Sequence, residues 1–195
     1  MSRVRYDRSD FSYASLYAAQ ANETHFTSIT ATRTEFSRAQ LNNAQFSGAV
    51  MQRVRMIGVD ATGANFADAT LDYGDLREGK FIGTNFGGTS VAHGLCRGAD
   101  FSASNGTGAN FDFTMLNGAM FNGALLRGAS FVEADVSGAS FRDARLHGAN
   151  MARIINSGLA DFSGACRSET TLLPPGLALP LCEDSGQEPR LIEAP

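Results

Sequence analysis

Histidines, cysteines and recurrent Asp or Asn residues are the side chains of this 195-residue chain to weigh first for chemistry. His25, His93 and His147 could bind zinc or move a proton. A zinc site, however, needs a second His or a Cys at ligand spacing, and none of the three has one. Cys96, Cys166 and Cys182 could supply a nucleophile or half of a bridge. Three cysteines without paired spacing argue against a disulfide framework and fit a reducing cytoplasm, so Cys166 and Cys182 are expected as free thiols. Asn65, Asp100, Asn110, Asp135 and Asn150 suggest paired carboxylates for acid–base work. Short polar side chains recurring in one register have a simpler use, which is to bond the neighbouring backbone. No glycine run opens a helix, so the glycines are turn residues rather than phosphate cradles. The expectation is no catalytic residue, no cofactor and no metal.

The elements that must position these residues follow from one period. Every fifth residue from Tyr6 to Met151 gives thirty positions, among them Phe26, Phe46, Leu71, Cys96, Phe121 and Leu146; only Gly106 lacks an apolar side chain. Cys96 is therefore core filler. Two residues before each centre the chain is small, unbroken Ala from Ala119 to Ala149, and only Ile29 is large. Two residues after each centre Gly collects, from Gly48 to Gly158, taking 13 of the 21 glycines. A helix cannot use this period, because a step of five turns about 140° and makes no stripe. A flat strand cannot use it either, because five is odd and successive centres would change faces. The chain must bend once per unit: a short extended piece, then a turn with Gly supplying permissive angles.

The units Gly63-Ala64-Asn65-Phe66, Gly98-Ala99-Asp100-Phe101, Gly108-Ala109-Asn110-Phe111 and Gly148-Ala149-Asn150-Met151 carry a recognisable pattern. It resembles the pentapeptide-repeat family, over roughly three quarters of the chain. The resemblance implies an all-β fold: a right-handed quadrilateral β-helix with four units per coil, here about seven to eight coils and about 35 Å of rod. Residues twenty apart then stack, and Phe26, Phe46, Phe66 and Phe86 form one column while Phe81, Phe101, Phe121 and Phe141 form its neighbour. On that path His25 and His147 share a side but lie about 29 Å apart at ~4.8 Å per coil, too far for one site. The expected organisation is a β-helix over 1–166, regular over about 4–151 and irregular over 152–166. Residues 167–195 follow as a Pro-rich cap and disordered tail. Met1 to Tyr6 should form a short front cap. Ala160-Asp161-Phe162 looks like a late unit one residue out of step, and Pro174, Pro175 and Pro180 forbid a helix beyond it.

A rod without a pocket is a poor place to exclude water from a reaction, so the expected role is non-enzymatic recognition by a rigid scaffold for an unknown protein partner. One side offers Tyr13, Arg33, Arg53, Tyr73, His93, Phe113, Glu133 and Arg153 in a row, and Arg33, Arg53, Tyr73, His93 and Phe113 are the candidate interaction stripe. The resemblance implies a second possibility, since some family members bind DNA gyrase or another topoisomerase as mimics of DNA and confer resistance to quinolones or natural gyrase poisons. Charge weighs against it. Residues 1–166 hold 14 basic and 15 acidic residues, and most of the chain's net charge of −4 lies in the tail. The C-terminal helix of gyrase-protecting members is replaced here by a Pro-rich tail, so the expected state is a monomer or a weak end-to-end dimer. No direct nucleic-acid or membrane contact is expected: no apolar run is long enough to span a bilayer, and the first residues show no hydrophobic leader region.

Overall fold

The computed structural model describes residues 4–183, and each five-residue unit in it takes nearly the same path. A bridging residue, at a position ending in 0 or 5, is followed by the inward centre, a two-residue turn and a second inward residue. The bridges are parallel and join residues twenty apart, from Arg5–His25 through Asn65–Asn85 to Asp135–Ile155. Four units therefore separate each residue from its partner on the next coil. The result is an all-β repeat solenoid. Its named elements are two short paired strands, β1 (Arg145–Leu146) and β2 (Cys166–Arg167), and the 3-10 turn Ser157–Leu159.

Each turn closes when the amide three residues after a centre donates to that centre's carbonyl, as Ala44 does to Leu41 at 3.0 Å. The residue two after the centre has positive φ at every turn from Arg8 to Gly148, as a type II turn requires at its third position. Twelve of these are Gly and seventeen are not, including Arg33, Tyr73, His93 and Phe113 at φ 58–60°. Glycine is thus the easy choice but not the rule. The same residues donate to the next coil (His93 N–H to Asp112 carbonyl, 2.9 Å), and that bond holds the less favourable conformation in place. Gly158 departs from the expected column: it sits in the 3-10 turn without a positive φ, and Gly164 resumes the pattern with φ 72°.

Both inward positions are buried from Thr24 onward, and the aromatic columns form as the spacing predicts. Phe26, Phe46, Phe66 and Phe86 stack at 4.8, 4.8 and 5.4 Å. Phe81, Phe101, Phe121 and Phe141 stack at 5.3, 4.9 and 5.0 Å. Edge-to-face contacts such as Phe86–Phe101 at 5.5 Å join the two columns, so face and edge of the rings are both used. Gly106 ends the first column because Leu126 leans beneath it: a Cβ on Gly106 would stand 2.9 Å from Leu126 Cδ2.

The ends depart from the regular path. At the front, Arg5 pairs with His25 and Tyr6 stacks on Phe26, so this part of the expected cap forms the first rung, while Met1–Arg3 lie outside the described residues. After Ile155 the 3-10 turn inserts one residue, and the pairing becomes Ser140–Asp161 and Arg145–Cys166. Phe162 then lies on Phe141 at 5.0 Å, so the late unit continues the column one residue out of step. Beyond it the chain crosses the last coil: Leu172 pairs with Asn150, Leu177 and Leu179 pack on the core, and Leu181 pairs with Arg167. Cys166 and Cys182 are joined by a disulfide, which corrects the expectation of free thiols. Spacing could not show this, because the pair is made by the return of the tail to β2 rather than by any local motif. The expected disorder of the final segment falls, from 184 onward, outside the described residues.

Phe101 lies fully buried between Phe81 and Phe121. Phe101→Ala should cost about 3–5 kcal/mol in denaturant unfolding. Phe101→Asp, which places a carboxylate in the same column, should leave no cooperative transition.

Candidate interaction surface

Backbone accounting explains the recurrent Asp and Asn. In a regular unit the amides of the bridging residue, the centre and the residue two after it donate to neighbouring coils, and a fourth closes the turn. The amide one residue after the centre has no backbone acceptor in that scheme. The bridging side chain takes it: Asn65 accepts from Ala67 at 3.1 Å, Asp100 from Ser102 at 2.9 Å and Asn110 from Asp112 at 2.9 Å. Asp135 and Asn150 do the same for Ser137 and Ala152 at 3.1 and 3.3 Å. Elsewhere the acceptor stands one coil away, as Asp72 does for Ala92 (3.1 Å) and Asp112 for Val132 (2.8 Å). The five candidate acid–base positions are thus backbone caps. Gln45, Asn65, Asn85 and Asn105 also bond amide to amide at 3.1–3.2 Å, a ladder along one side.

Capping shows in the titration of the carboxylates. Burial alone would raise the Asp135 carboxyl, but hydrogen bonds from the Ser137 hydroxyl, the Asn156 and Asn117 amides and the Ser137 N–H outweigh it. They hold the group well below the usual carboxylate range. Asp161 and Asp10 are lowered by their bonds to Ser163 and Ser12. Burial, with the charge of Asp75, pushes the Cys96 thiol far above its ordinary value, as suits a core residue.

The candidate stripe lies on the turn residues of one side, and its members meet. Tyr73 and His93 stack at 4.8 Å with rings 3° from parallel, and His93 and Phe113 stack at 4.9 Å and 7°. Arg53 lies over Tyr73 and Arg33 over Tyr13, each 5.8 Å from the ring centre, while Arg153 pairs with Glu133. Tyr73 remains 56% exposed and Phe113 45%. The ring faces are turned on one another, so the ladder presents a narrow aromatic ridge headed by the Arg53 guanidinium. Met115, also exposed, stands just past Phe113 on the adjoining side.

The histidines part company. His93 belongs to the ridge, and His25 is a bridging residue between Arg5 and Gln45. His147 is the surprise. Its Nδ1 is 3.6 Å from Cys182 Sγ, a contact 35 residues apart that no spacing motif could reveal. Among the described residues no group of three or more His, Cys, Asp or Glu side chains could hold a metal ion.

Residues 9–48, 49–89, 85–123 and 119–155 match the family described as "Pentapeptide repeats (8 copies)". The chain belongs to the pentapeptide-repeat family. Solved relatives include HetL of the cyanobacterium Nostoc, a pentapeptide-repeat protein involved in heterocyst differentiation regulation. It is 24% identical over 90% of this chain and 89% of its own, with TM-score 0.42. A trypsin-treated form of QnrB1, a plasmid-mediated fluoroquinolone resistance protein, is 16% identical over 90% of this chain and 88% of its own, with TM-score 0.47. A pentapeptide-repeat protein of the Arabidopsis thaliana thylakoid lumen is 24% identical over 52% of this chain and 64% of its own, with TM-score 0.36. No curated protein matches the sequence.

In this pentapeptide-repeat protein Asp135 links stability to acidity. Its folded pKa is depressed, so the unfolded chain takes up the proton first, and the contribution present at neutral pH fades as pH falls below about 4. Thermal melts should show the wild type losing more stability between pH 5 and pH 2 than Asp135→Asn, which keeps an acceptor oxygen but cannot titrate. Equal losses would mean that other carboxylates carry the dependence.

Proposed function

We propose that this pentapeptide-repeat protein is a non-enzymatic scaffold that binds a protein partner through the ridge of Arg33, Arg53, Tyr73, His93 and Phe113. The observation carrying the reading is the stacked, exposed Tyr73–His93–Phe113 ladder with Arg53 over its end. Aromatic and Arg side chains are the types that anchor protein interfaces. These are already held in one geometry by mutual stacking and by the rungs beneath, so less side-chain freedom is lost on binding. We read the coil as a right-handed, four-sided path of seven to eight turns, which sets the ridge along one edge of a straight rod.

The alternative, binding to gyrase or another topoisomerase as a DNA mimic, is less well supported. Duplex DNA carries a charge about every 1.7 Å of axis. Here the acids are dispersed, and several are neutralised by neighbours, as in Arg77–Asp75 at 2.7 Å and Arg55–Glu35 at 3.2 Å. Cytoplasmic residence is our proposal for location; no helix among the described residues is long and apolar enough to cross a membrane. The Cys166–Cys182 bond leaves Cys96 as the one free thiol, so cysteine usage no longer favours a reducing compartment.

Replacing Arg33, Arg53 and Tyr73 together by Ala should remove the proteins captured from native lysate by the wild type. The same number of changes at Thr62, Ser102 and Asn122, on another side, should not. Capture unchanged by the first set would overturn the ridge as the binding surface. In a gyrase supercoiling assay with and without a quinolone, the protein should neither inhibit nor protect.

A further inference from the structure

The segment crossing the last coil is weakly held by its own backbone. Pro174, Pro175 and Pro180 have no amide hydrogen to donate. Between the Leu172 rung to Ala149 and the return at Leu181, the backbone amide bond formed is Leu177 to Pro174, within the segment itself. The far end is fastened at Arg167: its amide donates to Pro180 (3.0 Å), its Nε donates to Leu179 (3.1 Å), and its carbonyl accepts from Cys182 (2.9 Å). The Cys166–Cys182 bond lies across this one fastening and closes the strap. Leu177 and Leu179 of this segment pack against the core cluster to which Phe162 and Ala165 belong.

Cys182 also faces solvent chemistry. It lines an open hollow of about 370 Å³ together with His147, Arg167, Ser168, Glu169 and Leu181. His147 Nδ1 approaches its sulfur at 3.6 Å. The Arg167 guanidinium, which also bonds the Leu179 and Ser168 carbonyls, and the ring of His147 give the hollow two hydrogen-bonding groups for a thiolate, the reacting form of a thiol, beside the Glu169 carboxylate.

We propose that Cys166–Cys182 is a thiol–disulfide exchange site, reduced by a dithiol, whose opening releases the strap from the end of the solenoid. The thiolate of the reductant enters the hollow and attacks Cys182 Sγ. The S–S bond breaks, and its electron pair leaves on Cys166 Sγ, which takes a proton from water. The second thiol of the reductant then attacks the mixed disulfide, loses its proton and releases Cys182 as a thiolate. Cys182 takes up the proton lost by that thiol, so the reductant ends as a disulfide, oxidised by two electrons, and the protein holds two thiols. A dithiol is the fitting class because its second thiol completes the exchange within one encounter. Cys96 takes no part, since it is buried in the core. In the cytoplasm, the location proposed above on which this point rests, disulfides are more often redox-sensing than structural, which agrees with a latch.

The test uses the full chain. Hydrogen exchange followed by mass spectrometry, with and without dithiothreitol, should show protection falling in peptides covering 166–182, which hold the Arg167 and Cys182 amides that fasten the strap, while peptides across 30–140 stay unchanged. The Cys166→Ser and Cys182→Ser variants should reproduce the reduced pattern without reductant. Strap protection that is the same oxidised, reduced and in both variants would overturn the latch. The direction of attack is read separately. Brief exposure to glutathione followed by N-ethylmaleimide should give an adduct in which Cys182 carries glutathione and Cys166 the maleimide, and His147→Ala should form it several-fold more slowly. The reverse adduct, or an unchanged rate in the variant, would overturn the role of the hollow. Alkylation of both Cys166 and Cys182 in untreated, aerobically purified protein would overturn the site itself.

Discussion

Everything in this molecule depends on the hydrogen-bonded stacking of one coil on the next. Three amides of each five-residue unit cross to neighbouring coils and a fourth closes the turn, so the backbone nearly satisfies itself without a conventional strand or helix. A buried or half-buried donor without a partner is costly, and in about half of the units the fifth amide finds a side-chain acceptor. Asp and Asn of the bridging position are the right length to reach it from two residues away. The same ladder forces a left-handed backbone conformation at each turn, and it is strong enough to hold Tyr73, His93 and Phe113 there as well as Gly.

From this constraint follows the division of labour among side chains. Inward positions carry the apolar area, with rings stacked along the axis and Ala or other small residues filling the second inward place. Many of the outward carboxylates, which look like candidate catalysts or a DNA-like charge array, are occupied with capping, as at Asp100 and Asp135, or with ion pairs, as at Asp75 and Glu35. What the ladder leaves over is the turn residue two after each centre, whose side chain serves no inward purpose. On one side those residues are aromatic and cationic, and stacking at the coil spacing turns them into an ordered ridge. A surface ordered by the fold itself is a sensible place to look for recognition.

The C-terminal end obeys a different rule. One inserted residue at the 3-10 turn shifts the register, and the prolines that follow remove the donors that would have continued the ladder. Where backbone bonding weakens, a covalent bond and three bonds at Arg167 take over, and Cys182, His147 and Arg167 line one hollow there.

Period five, carried by Phe, Leu and Ala at fixed offsets, determined the solenoid, the twenty-residue stacking of Phe46 on Phe66, and the identity of the core. It could do so because these are strictly periodic consequences of local geometry. The stripe residues were legible for the same reason, since they recur every twenty. Whether they touched was decided only in the folded coil, where the spacing between rungs matches ring-stacking distance. The fifth-amide caps were legible as a habit of Asp and Asn, but not the alternative in which Asp72 and Asp112 serve the next coil. The Cys166–Cys182 bond and the approach of His147 were invisible along the chain. They arise where the register has slipped and the tail folds back, and a contact made by an aperiodic return leaves no trace in a periodic sequence.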